Sequence, residues 1–197
     1  MTLPGLIALG VFGLMIGSFL NVCISRLPAG ESVVSPGSHC RSCGAPIRPF
    51  DNVPVLSFLF LGGRCRSCRA AISWRYPLVE LATGLCFVLQ GWAHGDHSVL
   101  LAWRLVLTAL LIALFSTDLE TERLPNILTL PGTVVGFLFS FWTPPGPLES
   151  VAGAALGAGV LFLIRWGWFR ATGVEGMGVG DLKMGGLVAA FLGPRKI

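Results

Sequence analysis

The sequence predicts an all-α fold: a polytopic membrane helix bundle that carries a cytoplasmic zinc-ribbon-like loop. The first observation is composition, because 53% of the 197 residues are apolar and only 12% are charged, whereas soluble domains carry about 25% charged residues. The second is a series of six apolar segments, the last five joined by short polar connections. The third is one long polar segment, rich in Arg and Cys, between the first two of them.

The first apolar segment, residues 1–25, is expected to form the first transmembrane helix. No basic residue precedes it, so we expect it to stay as an anchor and not to be cleaved as a secretory signal. Gly13 and Gly17 are four residues apart, a spacing that favours close approach of another helix. Asn21, near the end of the segment, either hydrogen-bonds across helices or faces the interface.

The polar loop, residues 26–76, carries only two acidic residues, Glu31 and Asp51, against seven arginines. Basic residues gather in cytoplasmic loops, so we place this loop in the cytoplasm and the N-terminus outside. The net charge of +4 thus reflects membrane topology, and we expect lipid contact and no nucleic acid. Residues 50–61 are apolar but too few to span, and are expected to be packed or interfacial. The seven arginines are Arg26, Arg41, Arg48, Arg64, Arg66, Arg69 and Arg75.

Two C-x-x-C pairs of near-identical sequence lie in this loop. Cys40 and Cys43 form the first, Cys65 and Cys68 form the second, and 21 residues separate them. Four thiolates at this spacing can hold one tetrahedral Zn²⁺, so we predict a structural zinc site at these residues. A redox dithiol role and unligated cysteines remain open, although structural disulfides are rare in the cytoplasm.

The other residues of ligand type carry weaker signals. Cys23 and Cys86 fall in apolar segments, where we expect them to pack as small hydrophobic side chains. His39 adjoins Cys40 and is either a substitute ligand or a bystander. The Arg inside each C-x-x-C pair is expected to help keep the thiolates deprotonated.

Residues 77–197 are expected to form the membrane core with five further spans, at 77–92, 99–117, 127–142, 148–164 and 182–192. Glycines at Gly153, Gly157 and Gly159 favour close helix contact in the fifth span. Counting from an outside N-terminus, the third span ends and the sixth begins on the cytoplasmic side. The last apolar segment is short, so we expect this core to be truncated at its C-terminus.

Two aspartates mark those cytoplasmic ends. Asp118 closes the third span, and Asp181 follows a glycine-rich turn before the sixth. A charge at a span end is costly, so such residues are functional candidates. Two close carboxylates share a proton, and one can then act as base on a water while the other acts as acid toward a carbonyl. The alternative is two interfacial ion pairs, Asp118 with Arg123 and Asp181 with Lys183.

Glu80 is a third acidic candidate, in the second span and a few residues from its inner boundary. We expect it to pair with Arg75 or another Arg of the loop, or to bind part of a substrate.

Taken in order, the motifs of the chain resemble the bacterial type IV prepilin peptidases. The residues that carry this resemblance cover nearly the whole chain. They are Gly17-Ser18-Phe19-Leu20-Asn21-Val22, Arg26-Leu27-Pro28, the two C-x-x-C pairs, Arg75-Tyr76-Pro77-Leu78-Val79-Glu80, Asp118 with Leu124-Pro125-Asn126, and Gly178-Val179-Gly180-Asp181-Leu182-Lys183.

The resemblance implies a bifunctional enzyme of the bacterial inner membrane, of the GxGD aspartyl class. Asp118 and Asp181 would be the catalytic pair, removing the short basic leader of prepilins or type II secretion pseudopilins at the cytoplasmic face. N-methylation of the new N-terminal residue would follow, with S-adenosylmethionine as co-substrate and Glu80 as a residue associated with its binding. Glu120 and Glu122 either attract the basic leader or are simply solvated. Family members usually carry further spans after the second aspartate, which supports the expected truncation.

Two other classes compete with this interpretation. A membrane thiol–disulfide oxidoreductase would use the C-x-x-C pairs without metal. A non-catalytic carrier would use Asp118 and Asp181 as a coupling site, but carriers place such residues near the membrane midplane, and here both fall at span ends.

Overall fold

The computed structural model describes residues 1–122 and 124–194, and these ranges are helical with no β-strand. Two short 3₁₀ helices, Leu27–Ala29 and Pro49–Asn52, lie in the polar loop. The predicted all-α fold is therefore confirmed. In chain order the α-helices are α1 (Leu3–Arg26), α2 (Leu56–Phe60), α3 (Arg75–His94), α4 (Ser98–Thr121), α5 (Asn126–Phe139), α6 (Pro147–Thr172) and α7 (Val179–Leu192).

A helix forms at each of the six predicted apolar segments, but they differ in their capacity to cross a bilayer. Among the described residues, three stretches are long and apolar enough: Leu3–Ala29, Ser98–Thr121 and Pro147–Thr172. Helix α5 is apolar but has only 14 residues. The polytopic membrane bundle is confirmed, while the count of six spans stays a prediction.

Helix α6 is longer than the sequence suggested. Its predicted limit was residue 164, yet it continues through Gly167 to Thr172 and ends at Gly173, whose φ of 72° is left-handed. Arg165 and Arg170 therefore lie on the last turns of the helix, and the Arg170 guanidinium stacks on the Trp166 ring at 5.3 Å. Basic and Trp side chains together are typical of a membrane–water boundary.

Helices α1 and α3 pack at very short range through glycine. A Cβ at Gly17 would lie 2.7 Å from the Cα of Glu80, and one at Gly13 would lie 2.8 Å from the Cα of Gly84. Asn21 adds a hydrogen bond across the same pair of helices, from its Nδ2 to the Tyr76 carbonyl at 3.0 Å. The close approach predicted for α1 is confirmed, and Asn21 makes the interhelical hydrogen bond that the sequence left open.

Helices α6 and α7 form a second tight pair. A Cβ at Gly157 would meet the Ala189 Cβ at 2.6 Å, and one at Gly153 would meet the Ala189 carbonyl oxygen. Gly159 has open space around it, so the expectation that it also serves close contact is wrong: it lies on another face of the helix.

Helix α4 joins the two pairs. Its Ala113 packs with Leu20 and Val79 in one buried cluster, and its Leu114 packs with Leu187 and Phe191 in another. Helix α4 is therefore the centre of the bundle, and its packing against both pairs positions the last turn, which carries Asp118.

Candidate active site and metal centre

Asp118 lies in the last turn of α4 with its side chain exposed. The helix stops three residues later because Glu122 takes a left-handed conformation, φ 50°, and its N–H bonds to the Asp118 carbonyl at 2.8 Å. Directly before Asp118, Thr117 is fully buried and bonds back to the Ala113 carbonyl. The aspartate thus sits where a well-packed helix gives way to an exposed turn.

Asp181 lies in the first turn of α7 and is half-buried. Its Oδ2 accepts a hydrogen bond from the Gly178 N–H at 3.1 Å, which satisfies one of the unpaired donors at the start of the helix. Gly178 precedes the helix in an extended conformation. The glycine-rich turn therefore sets both the start of α7 and the orientation of the carboxylate.

The segment that follows α4 brings the two aspartates to the same end of the bundle. A Cβ on Gly180, the residue before Asp181, would lie 3.0 Å from the Leu124 Cβ. The Lys183 ammonium donates to the Asn126 Oδ1 at 2.6 Å. The sequence offered Lys183 as a partner for Asp181, but its hydrogen bond goes to Asn126. Arg123, the alternative partner for Asp118, lies outside the described residues.

A surface cavity of about 470 Å³ opens beside this segment. One wall is the end of the α1 region, and the other is the chain between α4 and α5. The lining residues are Leu27, Pro28, Gly30, Leu124, Pro125, Asn126 and Ile127. The cavity adjoins the turn that contacts the start of α7, and neither aspartate is among its lining residues.

Glu80 is buried between α1 and the polar loop, with 7% of its surface exposed. Its Oε2 accepts a hydrogen bond from the Val55 N–H at 2.7 Å, and the Ser18 side chain bonds to it as well. The expected pairing with Arg75 does not occur. Glu80 instead holds the backbone of the loop at a point where Val55 has the strained φ of 62°.

Arg75 forms a salt bridge with Glu120. Arg75 is the first residue of α3, and Glu120 lies in the last turn of α4, two residues after Asp118. Glu120 is therefore engaged within the chain, unlike a carboxylate that waits for a basic substrate. The contact ties the end of the cysteine loop to the helix end that carries Asp118.

The four loop cysteines come together as the sequence predicted. One side-chain sulfur from each of Cys40, Cys43, Cys65 and Cys68 lies within 4.8 Å of the others. Such a set can hold a metal ion, and tetrahedral thiolate sites of this kind suit Zn²⁺. His39 is outside the cluster: its Nδ1 is 3.0 Å from the Gly37 carbonyl.

Each C-x-x-C pair folds into the same small turn. The Cys40 N–H bonds to the Ala45 carbonyl and the Gly44 N–H to the Cys40 carbonyl, at 2.9 and 2.8 Å. The second turn repeats these bonds with Cys65, Ala70 and Arg69 at 2.8 and 3.0 Å. Arg69 occupies the position of Gly44 with φ 62°, a left-handed conformation that costs a residue with a side chain roughly 1–2 kcal/mol.

Electrostatics around the sulfurs favour a bound cation. The N–H groups of Cys43 and Ser42 lower the pKa of the Cys40 thiol to about 6. For Cys68 the Ala70 N–H acts in the same direction, but the neighbouring thiols outweigh it and raise the pKa to about 11. A divalent metal would remove this repulsion between thiolates.

The Arg residues of the C-x-x-C pairs bond elsewhere: Arg41 donates to the Ser25 carbonyl at 3.3 Å, and no Arg of the loop is among the groups that shift the pKa of Cys40 or Cys68. Arg66 makes two hydrogen bonds to Asp51, at 2.8 and 2.6 Å, and stacks on the Phe50 ring. Arg66 in turn holds the pKa of the Asp51 carboxyl below its usual range. The sequence analysis did not predict that Asp51 anchors the second turn. Asp51 is one of only two acids in an Arg-rich loop, and this alone could have suggested that it pairs with an Arg there.

Arg26 is a second anchor, whose structural role was not predicted from its place among the loop arginines and in the Arg26-Leu27-Pro28 motif. It is buried, and its guanidinium donates to the carbonyls of Ser32, Pro36 and Gly37 at 2.9, 2.7 and 3.1 Å. These bonds fold the loop back onto the end of α1.

Two protein-family models match consecutive parts of the chain. Residues 11–94 match the family model for the bacterial peptidase A24 N-terminal domain, and residues 105–197 match that for the type IV leader peptidase family. No solved structure matches the chain.

Curated relatives are similar over most of their length. A prepilin leader peptidase/N-methyltransferase of Klebsiella pneumoniae is 43% identical, covering 92% of this chain and 82% of the relative. Proteins of the same name from Neisseria gonorrhoeae and Aeromonas salmonicida are 39% and 41% identical, each over 93% of this chain and 72% of the relative. This chain belongs to the type IV leader peptidase family.

Proposed function

We propose that this protein is a membrane aspartyl endopeptidase that removes the short basic leader of type IV prepilins or pseudopilins. The observation that carries the proposal is the placement of Asp118 and Asp181 at one end of the bundle, in a chain of this family. The relatives named prepilin leader peptidase/N-methyltransferase supply the substrate class.

Asp118 and Asp181 act as the catalytic pair. Two carboxylates that share a proton can activate water and protonate the substrate carbonyl without a covalent intermediate. The turn from Leu124 to Asn126 contacts the first turn of α7 through Gly180 and Lys183. Substrate binding in the adjoining cavity would place the peptide at the end of the bundle that carries both carboxylates.

The proposed topology places this end in the cytoplasm. The seven Arg of residues 26–76 favour a cytoplasmic loop and hence an external N-terminus. A prepilin has a basic leader followed by an apolar helix, so its cleavage site would lie at the membrane surface where the two aspartates lie. The membrane is the bacterial inner membrane.

The second proposed activity is methylation of the new N-terminus, with S-adenosylmethionine as co-substrate. The names of the relatives support it. The four cysteines would hold Zn²⁺ in a structural role, since all four sulfurs are protein ligands and leave no open position for chemistry. Glu80 would support methylation by holding the loop through Val55.

The experiment is cleavage of a prepilin-like substrate by the purified protein in detergent, compared with Asp118→Asn and Asp181→Asn. Asp96→Asn is the matched control, because Asp96 is an exposed carboxylate in the turn between α3 and α4, at the far end of α4 from Asp118. We expect both site variants to lose cleavage while zinc content and folding stay unchanged, and the control to remain active.

Survival of cleavage in either site variant would overturn the aspartyl mechanism. Loss of activity on cysteine replacement alone, with both aspartate variants active, would instead support the thiol–disulfide alternative. The converging sulfurs fit a metal site better than an exposed redox pair.

A further inference from the structure

The start of helix α2 is tied to helices α1 and α3 through Glu80. The Val55 N–H, which directly precedes α2, bonds to Glu80, and Glu80 also bonds to the Ser18 side chain. Both helix residues lie well inside their helices and not at the ends. The depth of α2 can therefore be measured along α1 and α3.

That depth corresponds to acyl chains. Ser18 lies eight residues before Arg26, about 12 Å of helix rise, and Glu80 lies five residues after Arg75, about 7.5 Å. The hydrocarbon core is about 30 Å thick, and α1 has no charged side chain before Arg26, with Ser18 and Asn21 as its polar side chains before Ser25. If α2 ran from the level of Glu80 straight toward the membrane surface, its five residues would rise about 7.5 Å and reach only the level of Arg75.

One side of α2 packs on protein and the other is open. Phe58 is 8% exposed, and its ring lies 4.8 Å from that of Trp74. Leu56 and Leu59 are exposed, and Phe60 is 87% exposed. An apolar side chain that is open at this depth of a bilayer meets lipid, not water.

We propose that α2 is a re-entrant lipid anchor whose open face lies among the acyl chains of the leaflet on the side of the cysteine loop. Leu78 and Leu81, on the first turns of α3, are likewise exposed apolar side chains. The Trp74 ring, beside Phe58, occupies the interface where Trp is enriched.

The backbone chemistry of α2 permits this position. Polar backbone groups survive at membrane depth only when they are paired. The N–H groups of Ser57, Leu59 and Leu61 bond to carbonyls within the segment, and that of Val55 bonds to Glu80. The exposed Arg64 follows after the turn at Gly63, where the chain returns to the charged surface.

The test is photo-crosslinking of the full chain in nanodiscs of phosphatidylethanolamine and phosphatidylglycerol. p-Benzoylphenylalanine replaces Phe60, and lipid adducts are measured by intact mass after irradiation. The positive control is the same replacement at Phe115, exposed on α4, and the negative control is at Val34, which is 84% exposed in the loop. Val34 lies between Ser32 and Pro36, whose carbonyls bond to Arg26 at the end of α1.

We expect a yield of lipid adducts at position 60 comparable with that at 115 and several times that at 34. A yield at 60 no higher than at 34 would overturn the proposal, because the face would then be in water. Crosslinks between two chains at position 60 would also overturn it, since the face would then bind a second copy. The readout does not depend on catalysis and stands apart from the proposed peptidase activity.

Discussion

The salt bridge between Arg75 and Glu120 is expected to position Asp118 for cleavage. Arg75 begins α3 directly after the cysteine loop, and Glu120 shares the last turn of α4 with Asp118. The family interpretation had offered Glu120 as an attractor of the basic leader. The two roles predict different kinetics, so they can be separated by substitution.

The magnitude follows from the burial of the pair. The Arg75 side chain is 15% exposed and that of Glu120 is 38% exposed. Exposed pairs are worth about 0.2–1 kcal/mol, and hydrogen bonds to charged groups about 1.5–3 kcal/mol. For this half-exposed pair we take about 1 kcal/mol, and if that free energy orients Asp118 in the transition state, its loss slows cleavage roughly five-fold.

The assay measures kcat and KM for a prepilin-like substrate with Glu120→Gln, Arg75→Gln and the charge-swapped pair Arg75→Glu with Glu120→Arg. We expect each single variant to lower kcat roughly five-fold with KM unchanged, since the lost interaction orients a catalytic group. The swapped pair should recover part of the loss. Glu122→Gln is the matched control, an exposed acid two residues away that should leave both constants unchanged.

A different result would refute positioning by the bridge. If Glu120→Gln raised KM at constant kcat, and the swapped pair gave no recovery, Glu120 would bind the leader. Equal loss of thermal stability and activity in all variants would show that the bridge only holds the fold.

Two further predictions follow from backbone geometry. Arg69→Gly should tighten metal binding by the second C-x-x-C turn roughly five- to thirty-fold, because it removes about 1–2 kcal/mol of left-handed strain; competition with a chromophoric zinc chelator measures it, and Gly44→Arg should weaken binding similarly. Gly17→Leu should lower the unfolding temperature, since even its Cβ would lie 2.7 Å from the Glu80 backbone and overpacking costs about 1–3 kcal/mol. Gly159→Leu is its control, with open space around that residue, and equal melting of the two variants would contradict the packing argument.

The sequence was informative wherever a residue type has few uses. Four cysteines in two equal pairs indicated the cluster, and Gly13 and Gly17 indicated close packing, because both patterns have specific geometric meaning. Apolar segments likewise predicted the helices. Helix ends were less accurate, as at Thr172, because apolarity ends before the helix does and only Gly173 marks the real stop.

Partners of charged residues could not be predicted in the same way. The sequence offered Arg75 for Glu80 and Lys183 for Asp181, each close in sequence to its supposed partner. In the structure Arg75 forms a salt bridge with Glu120 on another helix. Lys183 donates a hydrogen bond to Asn126, the first residue of α5. Choosing among such partners needs the relative placement of helices, which a single sequence does not contain.

The contacts that position the cysteine loop share one chemical feature. Glu80 accepts from the Val55 N–H, and Arg26 donates to three carbonyls of the loop. In each case a side chain from α1 or α3 forms hydrogen bonds with backbone N–H or C=O groups of the loop. These groups are present whatever the loop sequence is. The membrane helices therefore determine where the loop lies, while its internal fold depends on the cysteines and on the Asp51–Arg66 pair. These are separate sets of contacts, so the loop can remain attached to α1 and α3 when its metal-binding turns change.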